Sequence, residues 1–317
     1  MPLATKTFVV VPDSPEIAQR VDRIVQELCG LSRGEIVGLF DHGCVRVNDG
    51  LCMQPFQRLA DGDRIEVRYD PQQRYHPKKR SKAYLGFELI HEDREVLVVN
   101  KPSDLLTVPT PKGETNTLLD RVSEYTQRSG GRKAWPVHRL DRGVSGLLVF
   151  AKSVELSQQI RDQFAAHKPE REYVALVAEQ VAQLEGTFES YLATDRDLNR
   201  FSTDDQTIGQ LAITHYEVTK HLKGASLVRV WLETGRRNQI RVHFSEAGHP
   251  VLGDPRYSPE LANHPMWKYR RIALHARRLG FEHPATGKPL RFESALPAEM
   301  EWFVTVMERQ LKDKPQR

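Results

Sequence analysis

Residues 138–150 read His138-Arg139-Leu140-Asp141-Arg142-Gly143-Val144-Ser145-Gly146-Leu147-Leu148-Val149-Phe150. A single carboxylate stands between arginines, a turn bounded by glycines follows, and an apolar, β-prone run completes the stretch. The pattern predicts a loop that carries Asp141 into a buried strand. Loops held on a rigid scaffold are where catalytic groups concentrate. On its own, an aspartate among basic residues is more often a solvated surface charge. Segments elsewhere in the chain decide between the two readings.

From about Leu85 onward the chain is rich in strands. Val96-Leu97-Val98-Val99-Asn100-Lys101 is an apolar strand stopped by Pro102, and Tyr173–Val177 is another buried strand. Ala212–Lys220 and Ser226–Leu232 pair across a loop at Gly224, and Ile272–Phe281 is a further strand. Helices are expected at 117–127, at Leu156–Phe164, at Asn238–Ala247 and at Ala298–Leu311. Strands of varied spacing with few crossover helices predict an α+β domain over 85–311, built on a mixed, mostly antiparallel sheet. Residues 312–317 are expected to fray as a flexible tail.

A smaller domain, 1–70, precedes it. Ser14 can cap a helix running to Cys29, with Ile17, Val21, Ile24, Val25 and Leu28 at helical spacing and Gly30 as its stop. Ser32 starts a second helix closed by Gly43. Cys44–Val47 and Arg64–Arg68 read as strands, with a turn at Asn48-Asp49-Gly50. Residues 71–84 carry five Lys or Arg, two prolines and no acid, which reads as a basic linker able to follow a phosphate backbone.

The 317 residues are 39% apolar and 28% charged, with a formal net charge of +4. This describes a polar globular chain long enough for two domains, and it permits a nucleic-acid partner without requiring one. No apolar run approaches the length of a membrane span, and Met1–Lys6 has no signal-peptide pattern. Cys29, Cys44 and Cys52 lack any Cys-x-x-Cys spacing, which points to a reducing, cytoplasmic setting and does not suit a zinc site with His42. There is no internal repeat and no Gly-rich phosphate loop.

The larger domain carries a series of segments in order: Asn100-Lys101-Pro102, the His138–Ser145 loop, Arg171–Val177, and Thr234-Gly235-Arg236-Arg237-Asn238-Gln239-Ile240-Arg241-Val242-His243. Gly248–Asp254 and Leu274-His275-Ala276 follow. This order and content resemble the RluA family of RNA pseudouridine synthases over roughly residues 85–300. The signatures H-R-L-D-x-x-x-S-G and T-G-R-x-x-Q-I-R-V-H are the specific ones. In the smaller domain, two short helices followed by G-C-V-R-V-N-D-G and L-A-D-G-D-R-I-E-V resemble the S-four-like RNA-binding module. The matching residues are Ser32-Arg33 and Gly43-x-Val45-x-Val47-Asn48. Residues 16–70 hold seven Arg, no Lys and ten Asp or Glu, so RNA contact there would rest on one face, with Arg33 the candidate residue.

What the resemblance implies is chemically coherent. Converting uridine to pseudouridine breaks the N-glycosidic bond, turns the uracil and rejoins it to the sugar through carbon five. A base inside a helix must be flipped out for this. Nothing is oxidised and no phosphate moves, so neither a cofactor nor a metal is implied. Glycoside hydrolases use two carboxylates; here the leaving base is reused, and one can suffice. The resemblance makes Asp141 that carboxylate, as nucleophile at the anomeric carbon or as base on the neighbouring sugar carbon, and the sequence leaves both open. It assigns Arg241 to pair with Asp141 and keep it ionised. It assigns Tyr173 to stack on the flipped base and assist proton removal from carbon five, and Leu274 to form the apolar floor of the uracil pocket. Arg139 corresponds to the arginine that fills the vacated stack. Arg142, Arg236 and Arg237 are candidates for phosphate contacts. His138, His243 and His275 read as structural hydrogen-bonding residues.

Two departures from the family pattern stand in the sequence, one a pair of residues and one a single residue. Arg237-Asn238 stands where Thr-His is usual, and Asn238 can cap or hydrogen-bond as histidine would. Val144 stands where Thr is usual, keeping the β-branched shape and losing a hydroxyl. The expected function is isomerisation of specific uridines in structured RNA by a cofactor-free monomer, with rRNA favoured and tRNA the second candidate. The alternative is an RNA-binding ribosome-assembly factor that kept the fold and lost the chemistry. A glycosidase of small nucleosides would leave the N-terminal module and basic linker unexplained.

Overall fold

A computed structural model of the chain describes residues 3–11, 19–52, 55, 59, 61–76, 86–128, 133–166 and 169–312. The chain divides into two compact units, Met1–Ser81 and Lys82–Arg317.

In the smaller unit, β1 (Ala4–Val9), α1 (Val21–Cys29), α2 (Arg33–Asp41), β2 (Val45–Val47), β3 (Gly50–Leu51) and β4 (Arg64–Tyr69) follow one another. The strands form an antiparallel sheet in the order β1-β4-β2-β3. The first helix begins later than its apolar spacing predicts. Arg20 is extended and grips Asp22 at 2.6 Å across the helix start, while the Asp22 N–H donates to the Pro55 carbonyl at 2.8 Å. Ser14 and Ile17 lie outside the described residues. Gly30, at φ 67°, ends the helix in the left-handed conformation that glycine adopts without strain. At the start of α2, Ser32 and Glu35 satisfy each other's backbone N–H in a capping box. Ile24, Val25, Leu39, Phe40, Ile65 and Val67 make the core. The described part of the basic stretch, residues 71–76, lies on this unit: Tyr75 is buried, and its backbone leaves no room for a side chain at Gly38 of α2. Residues 77–84 and the tail beyond 312 lie outside the described residues.

The larger unit runs β5 (Glu88–Glu92), β6 (Val96–Lys101), α3 (Leu118–Arg128), β7 (Trp135–Pro136), β8 (Ser145–Ala151), α4 (Val154–Ala165) and β9 (Glu170–Ala178). It continues through β10 (Glu185–Thr194), β11 (Arg200–Thr203), β12 (Gln210–Leu222), β13 (Ala225–Leu232), α5 (Gln239–Glu246), β14 (Leu274–Glu282), β15 (Pro289–Glu293) and α6 (Ala298–Lys312). One sheet runs β11-β10-β12-β13-β9-β14-β8-β6-β5, with β15 on β14 and β7 on β8. The fold is therefore α+β on a mixed, mostly antiparallel sheet. β8 is buried at every residue because alternate side chains feed two cores. Leu148 and Phe150 join Leu118, Val122 and Phe303 on one face, and Leu147 and Val149 join Ile160 on the other.

Among the described strands, β14 and β8 are the parallel neighbours, with His275 beside Ser145 and Ala276 beside Gly146. Both strands therefore begin at the same edge, and the loops that lead into them arrive side by side. Gly146, at φ 124°, lies so close to the Ala276 backbone that no side chain fits there.

Candidate active site

Asp141 occupies the loop before β8, with its side chain 23% exposed. Neighbouring groups pin the loop backbone. The Thr107 hydroxyl donates to the Leu140 carbonyl at 2.7 Å and accepts the Leu140 N–H at 3.1 Å. The Ile272 N–H donates to the Gly143 carbonyl, and the Val144 N–H to the Asp141 carbonyl, each at 3.1 Å. Lys101, fully buried at the end of β6, donates from Nζ to the carbonyls of Leu105 (2.7 Å), Pro102 (2.8 Å) and Arg142 (3.3 Å). Burial pulls its pKa down to about 7, against an opposing pull from Asp141. The Val144 methyls sit in the main core, where a hydroxyl would need a partner.

Arg241 is buried in α5, not on the surface as an arginine of a short helix often is. Its Nη1 donates to Asp141 Oδ2 at 2.7 Å. Its Nε and Nη2 donate to the two oxygens of buried Asp254 at 2.7 and 2.8 Å. Asp254 also accepts the N–H groups of Arg256 and Tyr257. Burial works against the Arg241 charge, but the bonds to Asp254 and the charges of Asp141 and Asp254 outweigh it and raise the pKa, so the guanidinium stays cationic. The rest of α5 is bolted to the sheet. Gln239 accepts from the Thr234 hydroxyl and the Arg236 N–H and donates to the Ile213 carbonyl. His243 bridges Thr214 and Ser190.

Strand register puts Tyr173 opposite Ala276 and Leu274 opposite Ala175, so the tyrosine and the leucine share one face of the sheet. Both are buried. Burial pushes the Tyr173 phenol up in pKa, opposed by Arg171 and reinforced by Asp141. Arg139 and Arg142 are exposed on the Asp141 loop. Arg236 and Arg237 are each tied to backbone, Arg236 Nε to Leu211 O at 2.9 Å and Arg237 Nη2 to Leu198 O at 2.7 Å. Arg33 opens α2 of the smaller unit and is exposed. Asn238 does not cap α5 with its side chain; it adopts φ 59° and turns its amide to Arg241 and Tyr257.

The three histidines of the motifs are hydrogen-bonded and neutral. His138 stacks on Phe164 and accepts the Val149 N–H, and burial with Arg171 nearby lowers its pKa to about 3. Burial lowers His243 and His275 to about 4. His275 bridges Ser145 and Ser294, and Arg271 donates to the same Ser145 hydroxyl at 2.7 Å. Among the described residues, Asp93, Glu95 and His283 are close enough together to share an ion. His283 Nδ1, however, accepts the N–H groups of Ala285 and Thr286, so its Nε2 carries the proton that points to Asp93.

Asp254, Lys101 and Thr107 are the structural partners that sequence reasoning left without a role. Asp254 and Lys101 carry a signal, since each is a charge just past the end of an apolar run, where a charge that folds inward needs partners. Thr107 carried none.

Residues 95–246 match the family model described as RNA pseudouridylate synthase. The fold agrees with a solved human structure, RNA Pseudouridylate Synthase Domain Containing 4, at a TM-score of 0.58 and 22% identity, covering 69% of this chain and 92% of that one. The fold is thus that of the RNA pseudouridine synthase class. It is 35% identical to ribosomal large subunit pseudouridine synthase D of Zymomonas mobilis, over 90% of this chain and 92% of the relative. It is 32% identical to the protein of that name from Vibrio cholerae, over 92% and 91%. With similarity of this extent, the chain belongs to the RluA family of RNA pseudouridine synthases.

Proposed function

We propose that this enzyme isomerises specific uridines of large-subunit rRNA, with Asp141 as the essential carboxylate. The substrate reading is supported by the relatives, which are named for the large ribosomal subunit; tRNA is the second candidate. The mechanistic reading is carried by one observation, the 2.7 Å bond between Arg241 Nη1 and Asp141 Oδ2. A buried cation that is itself held by Asp254 pairs with the facing carboxylate and orients it for either attack at the anomeric carbon or proton abstraction from the adjacent sugar carbon.

The flipped uracil lies against Tyr173 over Leu274. Once the glycosidic bond breaks, the base turns and carbon five bonds to the sugar. Carbon five then loses its proton, assisted by Tyr173, and the freed ring nitrogen gains one, so the product is an isomer of the substrate. Arg139 fills the space left in the RNA stack, and Arg142 and Arg236 contact phosphates. Residues 1–70 act as the S-four-like RNA-binding module through Arg33, the basic stretch 71–84 follows with its first residues packed on that module rather than free as a linker, and 85–311 act as the catalytic domain. The enzyme works as a cytoplasmic monomer.

The test is pseudouridine mapping of total RNA from cells with and without the gene, complemented by wild type or by Asp141→Ala. The reading expects defined large-subunit sites to disappear and to return with wild type alone. Sites lost from tRNA instead would move the substrate, and loss of no site would overturn the proposal.

A further inference from the structure

Arg241 is held by more than its two carboxylates. A terminal guanidinium nitrogen carries two protons, and Nη1 has two acceptors, Asp141 Oδ2 at 2.7 Å and Asn238 Oδ1 at 3.1 Å. The other end of the same amide, Asn238 Nδ2, donates to the Tyr257 hydroxyl at 2.9 Å. The orientation of this amide follows from its neighbours, because the reverse would point an N–H at an N–H. The Tyr257 ring lies under the guanidinium, with its centre 5.0 Å from the guanidinium carbon, and the Tyr257 backbone N–H donates to Asp254 Oδ1. Arg241, Asn238, Tyr257 and Asp254 therefore close a ring of hydrogen bonds. The Tyr257 hydroxyl also accepts the Arg200 N–H from β11 at 3.1 Å, which fastens the ring to the β10–β11 hairpin.

The backbone serves the same arrangement. Asn238 sits at φ 59°, a left-handed conformation open to few residues besides glycine and asparagine. Its carbonyl accepts the Val242 N–H and starts α5, while its side chain leaves the usual capping direction and reaches Arg241 one turn on.

We propose that Asn238 and Tyr257 are positioning residues for the isomerisation, acting through Arg241 to keep Nη1 aimed at Asp141. The inference rests on the reading of Asp141 and Arg241 as the catalytic pair. Asn238 takes up the second proton of Nη1 and so sets the rotation of the guanidinium plane, and Tyr257 fixes Asn238 in turn. Neither residue touches the reacting atoms, so losing them slows the chemical step and leaves RNA affinity alone.

The experiment uses the full-length enzyme in excess over total RNA from cells that lack the gene, and compares Asn238→Ala, Tyr257→Phe, the double variant and Asp141→Asn with wild type. Losing a hydrogen bond to a charged group predicts a single-turnover rate about tenfold lower for Asn238→Ala. Tyr257→Phe keeps the ring and its packing, and should lose about threefold through the hydroxyl alone. The double variant should be no slower than Asn238→Ala, because both act along one chain of bonds, and RNA affinity should stay within about twofold of wild type throughout. Tyr257→Phe carries the test if Asn238→Ala does not fold. The proposal is overturned if the single variants keep the wild-type rate while Asp141→Asn is inactive. It is equally overturned if the loss lies in affinity or melting temperature alone, or if the two effects add. Turnover by Asp141→Asn would remove the catalytic pair itself, a separate and recognisable failure.

Discussion

Arg241 and Asp254 are joined by two parallel hydrogen bonds, Nε to Oδ2 at 2.7 Å and Nη2 to Oδ1 at 2.8 Å, with the Asp254 side chain wholly out of solvent. Removing one member of such a pair strands the other charge in the interior. Asp254→Ala should destabilise the protein by about 3–5 kcal/mol, read as a lower urea midpoint. Asp254→Asn keeps the shape, so it should fold better than the alanine variant and still turn over more slowly than wild type.

Asp141→Ala and Asp141→Asn should bind RNA as wild type does and form no pseudouridine. Gel-shift and product assays on the same preparations separate the two properties. Full turnover by either variant would exclude a carboxylate mechanism at this position.

Tyr173→Phe preserves the ring on β9 and deletes the phenol. If the hydroxyl takes part in proton removal from carbon five, the rate should fall by about 10²-fold or more while RNA affinity holds. A rate near wild type would leave Tyr173 a stacking role only.

Acid should destabilise the protein through its buried histidines. The pKa of His275 lies at about 4 when folded, against an ordinary 6.5, chiefly because of burial. The unfolded chain therefore binds the extra proton first. The stabilisation is complete above pH 6.5 and is lost as the pH falls through 4, amounting to about 3 kcal/mol for this residue. Urea midpoints between pH 7 and 4 should fall, and His275→Gln should flatten the slope by up to about one proton.

Gly146→Ala places a methyl group against the Ala276 backbone at a φ of 124°. A loss of more than about 2 kcal/mol is expected, visible as reduced soluble yield and an earlier thermal transition. An unchanged melting curve would mean that the β8–β14 junction can open without cost.

The parts of the fold legible in the sequence were those with strong period or punctuation. β8 and β9 announce themselves as apolar runs, Gly30 and Gly43 mark the ends of two helices, and the β12–β13 pairing follows from its turn. β10, Glu185–Thr194, went unread because its side chains alternate between half-buried and exposed, with few strongly apolar positions. β1 is mostly exposed and gives no signal for the same reason. At the site, the pairing of Asp141 with Arg241 was legible through the family signatures, although the two stand 100 residues apart. The grip of Asp254 and the Asn238–Tyr257 bridge were not, since each depends on a rotamer and a loop path that no spacing encodes. Helix α1 is shorter than its apolar periodicity implies, because periodicity says nothing of what occupies the N–H groups of the first turn.

The parallel seam between β8 and β14 also has a consequence in time. Ser145 and His275, which meet there, are 130 residues apart in the chain. At about 5–20 residues per second, a ribosome takes roughly 6–26 s to travel that distance. Until β14 has emerged, β8 lacks its parallel neighbour, and the Gly143 carbonyl of the Asp141 loop lacks the Ile272 N–H that holds it. The seam thus closes late in synthesis, and the loop between Leu140 and Val144 takes its final form only once Ile272 and β14 have been made.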